Sequence, residues 1–479
     1  VRGDTEVLRG GEELSWWWSV IGGGSASLVT GVTHADHWKS WIAVDGTDAA
    51  SLTLTLASGA DELRALLAGE VATGDPWLLT ADAEDRVALE RYGAALPTRR
   101  APPLQGEAGW NSWYDLWDKV EATDVSANAT LARAAFSAGG FPKEGTLRIV
   151  VDDGWQAGWG DWQANAKFPG GLEALAASLA AEGFTAGVWL APLLVDVDDP
   201  LVLAHPDWFV GGAEYPHAVH GPMKVLDVTH PDAAAHLRAA VTRIVGWGLT
   251  FLKIDFLFAG TFEGQRHTDV TGMEAYRRAL TIIREAAGPD VTLLAVGAPP
   301  VAGFDLIDGW RLGPDIALEA FGPGFAFIAP EARSLSVRWP VCRAVACDAD
   351  PPILRELEEN EVLLGAWVAA LAGGALFLSD DLQVLAAERH VWGVSPDLLA
   401  VGLAGAASEP LSVFPSEPPK RLSSAFEDAL AGYTTARVPA LWETPDGRRV
   451  ALNFGEEPLA VDGLAPPGLP PRSAVLMPE

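Results

Sequence analysis

From about residue 105 to 395, short apolar runs alternate with helix-length segments, and this alternation restricts the possible fold more than any other feature. The runs are Gly109-Trp110-Asn111, Leu147 to Asp152, Gly187 to Leu190, Phe251 to Asp255, Val291 to Val296, Trp310 to Leu312, Ala344 to Cys347 and Ala375 to Leu378. Between them lie Ala-, Leu- and Arg-rich stretches such as Leu172 to Glu182 and Met273 to Ala287. A strand covered on both faces reads as an unbroken apolar run. Eight such runs interleaved with helical stretches predict an α/β chain built on a (β/α)8 TIM barrel. The long uncharged run from Val362 to Leu378 is broken by Gly373-Gly374, so it reads as a buried helix turning into a buried strand.

The flanks have a different texture. Ser51 to Leu56 alternates with period two, and Gly22-Gly23-Gly24 and Asp45-Gly46 punctuate the first hundred residues as turns. Ala101-Pro102-Pro103 reads as a linker. Near the other end, Pro439 to Trp442 and Arg449 to Phe454 flank Pro445-Asp446-Gly447, a hairpin pattern. Three units are therefore expected: an N-terminal antiparallel β domain (1–103), the barrel (104–395) and a small C-terminal antiparallel β domain (396–479).

With 64 acidic against 33 basic residues, the chain carries a formal charge of −31, which repels phosphates and argues against nucleic acid and anionic membranes as partners. No apolar signal core opens the sequence, and a soluble cytoplasmic protein is expected. The two cysteines, Cys342 and Cys347, are expected to be reduced and buried. The sequence does not speak to oligomeric state.

A (β/α)8 barrel builds its site at the C-terminal ends of its strands. That rule turns the strand list into a list of candidates: Asp152 and Asp153 after the second strand, Trp189 in the third, Lys253 and Asp255 in the fourth, Arg311 and Asp315 at and after the sixth, and Ser379-Asp380-Asp381 after the eighth. Carboxylates, Lys and Arg supply the acceptors and donors that sugar hydroxyls require. Glycoside cleavage needs two carboxyl groups flanking the scissile bond, about 5–5.5 Å apart for retention. Asp255 and Asp315, on different strand ends, are the candidates. Any one of these Asp residues could instead be a helix cap or turn residue. Lys253 sits in an apolar run, and Asp255, two positions on and on the same strand face, is its expected partner. Trp16-Trp17-Trp18 cannot all face inward from one strand, so at least one is expected at the surface or a domain interface. There is no His-x-His after the first strand, no HExxH, no phosphate loop and no GxGxxG after a strand, so no metal or cofactor is called for.

Taken in order, Gly109-Trp110-Asn111-Ser112-Trp113-Tyr114, Val151-Asp152-Asp153-Gly154-Trp155, Gly160-Asp161-Trp162, Phe168-Pro169-Gly170-Gly171-Leu172, Gly187-Val188-Trp189-Leu190-Ala191-Pro192, His205-Pro206-Asp207-Trp208, Lys253-Ile254-Asp255-Phe256 and Arg311-Leu312-Gly313-Pro314-Asp315 make the chain resemble the α-galactosidases of glycoside hydrolase family 36, in particular compact prokaryotic enzymes. The resemblance implies retaining hydrolysis of terminal α-linked galactose from small oligosaccharides such as melibiose or raffinose. It implies Asp255 as nucleophile, Asp315 as acid/base, Asp152 and Asp153 on O4 and O6, Trp113 and Trp189 as pocket walls, and Lys253 and Arg311 as sugar contacts. Trp17 or Trp18 would complete the pocket from the N-terminal domain, with Trp18 preferred. The chain departs from larger members in reading Lys253-Ile254-Asp255 for Lys-Trp-Asp, and Gly297-Ala298-Pro299-Pro300 for a Cys- and Gly-rich loop. An α-N-acetylgalactosaminidase, a raffinose-synthase-like transferase and a non-catalytic sugar-binding barrel are the competing readings.

Overall fold

The computed structural model describes residues 12–23, 26–45, 53–60, 69, 71–100, 106–318, 322–411 and 438–478. The Ala101-Pro102-Pro103 linker, Gly24, Gly46 and Ser51-Leu52 lie outside the described residues.

The N-terminal unit holds two three-stranded antiparallel sheets. One pairs Glu12–Trp16, Lys39–Asp45 and Thr53–Gly59; the other pairs Trp18–Gly23, Ala26–Val32 and Trp77–Asp82. The tryptophan triplet is where the chain leaves one sheet for the other. Trp17 takes a left-handed backbone, φ +73°, and splits what would have been one strand. Period-two alternation stops there, so Trp17 and Trp18 are both buried and Trp16 is half-buried against Trp41. The expectation of a member at the surface or a domain interface reasoned from one continuous strand; Trp16 is the most exposed of the three. Helix Asp85–Gly93 anchors this unit: Tyr92 donates its hydroxyl to the Val32 carbonyl (2.7 Å), and Gly93 lies so close to Pro340 of the barrel that a Cβ would sit 2.5 Å from its carbonyl oxygen.

The eight expected strands form one parallel sheet. They are Glu107–Asn111, Arg148–Val151, Thr185–Leu190, Phe251–Ile254, Thr292–Ala295, Gly309–Arg311, Ala346–Asp348 and Ala375–Leu378, in the order seven-six-five-four-three-two-one-eight. A parallel bridge between Cys347 and Gly373 brings the seventh and eighth strands together and closes the barrel. Alternate residues face opposite sides. Val150, Phe251, Leu294, Val296, Ala375 and Phe377 pack together as a plug of their own. Their strand neighbours Val151, Leu252, Ile254, Leu376 and Leu378 join the larger core beneath the helices. Gly109 is needed for strand spacing, since a Cβ there would lie 1.8 Å from the Arg148 carbonyl oxygen.

The apolar run resolves as expected into helix Glu359–Ala372, a left-handed Gly373 (φ +71°) and the eighth strand. No helix among the described residues is long and apolar enough to cross a membrane. After the third strand the chain inserts a small antiparallel sheet, Leu194–Asp196, Gly221–Leu226 and Phe209–His217, which the strand pattern does not announce. The C-terminal unit is a four-stranded antiparallel sheet. Its Leu441–Glu443 and Arg449–Asn453 strands form the expected hairpin, with Gly447 at φ +85°.

Cys342 and Cys347 are joined in a disulfide, Cα–Cα 5.2 Å, which corrects the expectation of reduced thiols. The short helical turn Trp339–Arg343 folds residue 342 back onto the seventh strand, and both residues are buried there.

Candidate active site

The barrel's alternation builds the site. In the fourth strand Phe251 belongs to the interior plug, so Lys253 and Asp255 rise above it at the mouth, while Leu252 and Ile254 face the helices. Val150 does the same for Asp152 on the second strand. The sixth strand sends Trp310 outward and Arg311 inward; the seventh sends Cys347 outward and Asp348 inward. One sequence period thus gathers Asp152, Lys253, Asp255, Arg311 and Asp348 on one rim.

Asp152 is the buried hub of one half. Its Oδ2 accepts from Lys253 Nζ and from Asn111 Nδ2, both at 2.7 Å. The partner of Lys253 is therefore Asp152 and not Asp255. The reason is register: parallel strands set side by side across the mouth bring Lys253 to the carboxylate beyond the second strand, while its own strand holds Asp255 one pleat further up. Burial lowers the Lys253 pKa and the Asp152 charge raises it, with the rise prevailing. Asp153 accepts from Gln156 Nε2 (2.5 Å). Its other oxygen lies 3.7 Å from Nε2 of His220, at the tip of the inserted hairpin.

Asp255 is half-buried and held from two sides. Trp189 Nε1 donates to Oδ2 (3.1 Å) and the Phe256 amide to Oδ1 (2.6 Å). Burial pushes its pKa up to about 6; Lys253 opposes the rise and Asp315 adds to it. Phe256 itself is left-handed, φ +53°, a conformation that costs a side-chain-bearing residue roughly 1–2 kcal/mol. Its ring packs among Trp159, Tyr215 and His217. Trp159 also packs on Trp189 (5.1 Å between centroids), giving this side of the mouth an aromatic wall.

Asp315 lies on the loop after the sixth strand with 39% of its side chain exposed. Arg311 Nη1 faces its Oδ1 at 3.4 Å. The same guanidinium holds Asp348 through Nε (2.9 Å) and Asp350 through Nη2 (2.7 Å), so one Arg spans three carboxylates. Trp113 is half-buried, its amide on Asn111 Oδ1 (2.8 Å) and its ring against Trp117. Trp18 instead packs its ring on Tyr92 within the N-terminal unit.

The sequence reading missed Asn111, Tyr114, Asp348, Asp350 and the hairpin histidines. Asp348-Ala349-Asp350 was findable, since it stands at a strand end by the same rule that picked out Asp152. The histidines had no sequence marker. No group of three or more His, Cys, Asp or Glu side chains among the described residues is arranged to hold a metal ion.

Beneath the Asp315 loop lies Glu331, 1% exposed, its two carboxylate oxygens without a hydrogen-bond partner. It presses on Gly313, where a Cβ would meet it at 2.1 Å. Burial pushes its pKa well above the ordinary 4.5. The fold therefore favours its protonated form, and stability is lost as pH rises above the ordinary Glu range, where the unfolded chain ionises. The cost is absent below pH 4.5 and grows as pH rises. Glu331→Met is expected to be more stable than the parent at pH 7, with the gap closing near pH 4. Urea unfolding at the two pH values checks this; an unchanged or lowered midpoint at pH 7 refutes it.

Residues 121–284, from the first barrel helix through the helix after the fourth strand, match the Melibiase family model. A probable α-galactosidase G of Emericella nidulans is 27% identical over 164 residues, 30% of this chain and 21% of that protein. An α-galactosidase of Escherichia coli is 27% identical over 153 residues, 29% and 22%. The matched stretches thus span about a fifth of these curated relatives. The α-galactosidase TtGalA of Thermus thermophilus, solved with p-nitrophenyl α-D-galactopyranoside, superposes with a TM-score of 0.63 at 26% identity, covering 78% of this chain and 74% of that one. The α-galactosidase AgaA of Geobacillus stearothermophilus, at 13% identity and a TM-score of 0.57, covers 96% of this chain and 65% of its own; it shares the fold. Motif order, barrel topology and these likenesses converge: the chain resembles the α-galactosidases of glycoside hydrolase family 36.

Proposed function

We propose that the chain is a retaining α-galactosidase acting by double displacement at the barrel mouth. The observation that carries this reading is a half-buried, doubly hydrogen-bonded Asp255 after the fourth strand, with a second carboxyl, Asp315, on the rim loop after the sixth. The Asp315 charge helps to raise the Asp255 pKa, which supports two carboxyls acting on one bond.

In this mechanism Asp255 attacks C1 of the galactosyl group while Asp315 gives its proton to the departing oxygen. The donors Trp189 Nε1 and Phe256 N aim the Asp255 carboxylate and favour its ionised form, the form that attacks. Water, deprotonated by Asp315, then releases galactose with its α configuration restored. Asp152 and Asp153 accept from O4 and O6. Asp152 is fixed by Lys253 and Asn111, so its position selects an axial O4 rather than following the sugar. Trp113, half-buried after the first strand, and Trp189, bonded to Asp255, wall the sugar.

Attack needs ionised Asp255, so with a pKa of about 6 the acid limb of the pH–rate profile is expected to rise through that pH, and the rate falls again where Asp315 loses its proton. The test is direct. Purified protein should hydrolyse 4-nitrophenyl α-galactoside, raffinose and melibiose in preference to the α-glucoside and the 2-acetamido analogue, and proton NMR should show α-galactose appearing first. Initial β-galactose would refute retention. Preference for the 2-acetamido analogue would reassign the specificity, and absence of any turnover would leave a sugar-binding barrel.

A further inference from the structure

Asp315 sits on a loop, four residues past Arg311, with Gly313 and Pro314 between. A proton donor on a loop needs an anchor, because a misplacement of about 1 Å can cost on the order of 100-fold in rate. The anchor is visible in the next peptide. The Ile316 N–H points at two acceptors at once, the Tyr114 phenolic oxygen and Asp350 Oδ2, each at 3.1 Å. Tyr114 donates its own hydroxyl to that same Asp350 oxygen.

These partners come from opposite sides of the closure. Tyr114 follows the first barrel strand and Asp350 follows the seventh. Tyr114 is 1% exposed and Asp350 is 3% exposed, so water does not compete for these bonds. Asp350 is secured by Arg311 Nη2 on its other oxygen and sits in a left-handed backbone, φ +67°. A conformation that costs a non-glycine residue roughly 1–3 kcal/mol is kept where the surroundings over-determine it. Arg311 then reaches from Asp350 to Asp315 itself. The peptide and the carboxylate of the loop are thus held by one connected set.

We propose that Tyr114 and Asp350 are positioning residues for Asp315, fixing the acid at the height of the departing oxygen without touching the sugar. This rests on the α-galactosidase reading above. Proton donation matters most when the leaving group is a poor one. A sugar alkoxide needs it, and a dinitrophenolate does not. Loosening the acid therefore slows the two substrates unequally, whereas general damage to the fold slows them together.

The experiment measures kcat/KM for melibiose and for 2,4-dinitrophenyl α-galactoside with Tyr114→Phe and Asp350→Asn, beside the parent. Because kcat/KM covers only the steps up to galactosyl transfer, release of the sugar does not enter. The ratio of the two values is independent of the fraction of folded enzyme, so a partly misfolded variant still answers. Tyr114→Phe keeps the ring and removes the hydroxyl; Asp350→Asn keeps the shape and removes the charge. Each is expected to lower kcat/KM for melibiose on the order of 10-fold or more while changing the dinitrophenyl value less than about 3-fold. Equal losses on both substrates, or none, in an active parent overturn the positioning role and leave the α-galactosidase reading standing. A parent inactive on both overturns the two together.

Discussion

Replacing Asp255 by Asn is expected to lower turnover of every α-galactoside on the order of 10⁴-fold or more, because the proposed mechanism loses the atom that bonds to C1. Trp189 Nε1 and the Phe256 amide donate to different oxygens of Asp255, so the single amide oxygen of Asn keeps one of the two bonds. Stability gives an independent readout. In the fold Asp255 has a pKa of about 6 against an ordinary 3.8. The folded state therefore carries a penalty that is absent below about pH 4 and complete above about pH 6. Removing the ionisable group relieves it, a gain of about 2–3 kcal/mol at neutral pH. A dead variant that melts higher than its parent at pH 7, by a margin that disappears at pH 4, is the expected result. With the smaller Asp255→Gly, added azide enters from the face that Asp255 occupied and gives the β-galactosyl azide by a single inversion. A glycine variant that hydrolysed nitrophenyl α-galactoside at the parent rate would remove Asp255 from the mechanism.

Asp315→Ala is expected to divide the substrates. For raffinose or melibiose the loss in kcat/KM should reach on the order of 10³-fold, since an alkoxide leaves only when protonated. For the dinitrophenyl galactoside the same constant should hold within about 10-fold. Its kcat should fall, because the galactosyl-enzyme now waits for a water with no base to activate it. Azide, which needs no base, should restore kcat, and the product should be the α-azide, because two inversions return the starting configuration. Arg311 keeps Asp348 and Asp350 as partners, so the loss of one of its three carboxylates leaves the guanidinium anchored. Recovery of β-azide alone from this variant would show that residue 315 is not the acid/base.

The two carboxyls also illustrate a balance between stability and chemistry. On the proposed reading the half-buried nucleophile is the costly member, while Asp315 on its partly exposed loop keeps much of its hydration. The plug of Val150, Phe251, Leu294 and Phe377 below them, and the closure by the eighth strand, supply the rigid floor on which they are kept.

The chain by itself determined the strands and what they carry. Phe251-Leu252-Lys253-Ile254-Asp255 can only alternate if it is a strand, and alternation above an apolar plug sends Lys253 and Asp255 to the mouth. The tertiary structure decided the pairings. That Lys253 meets Asp152, that Tyr114 and Asp350 converge on the Ile316 peptide, that Cys342 finds Cys347, and that His220 approaches Asp153 all depend on register between strands and on where connecting loops return. A two-residue period is local and is written in every stretch of five residues. Which side chains meet across a barrel is set by the closure of all eight strands together, and no single stretch contains that.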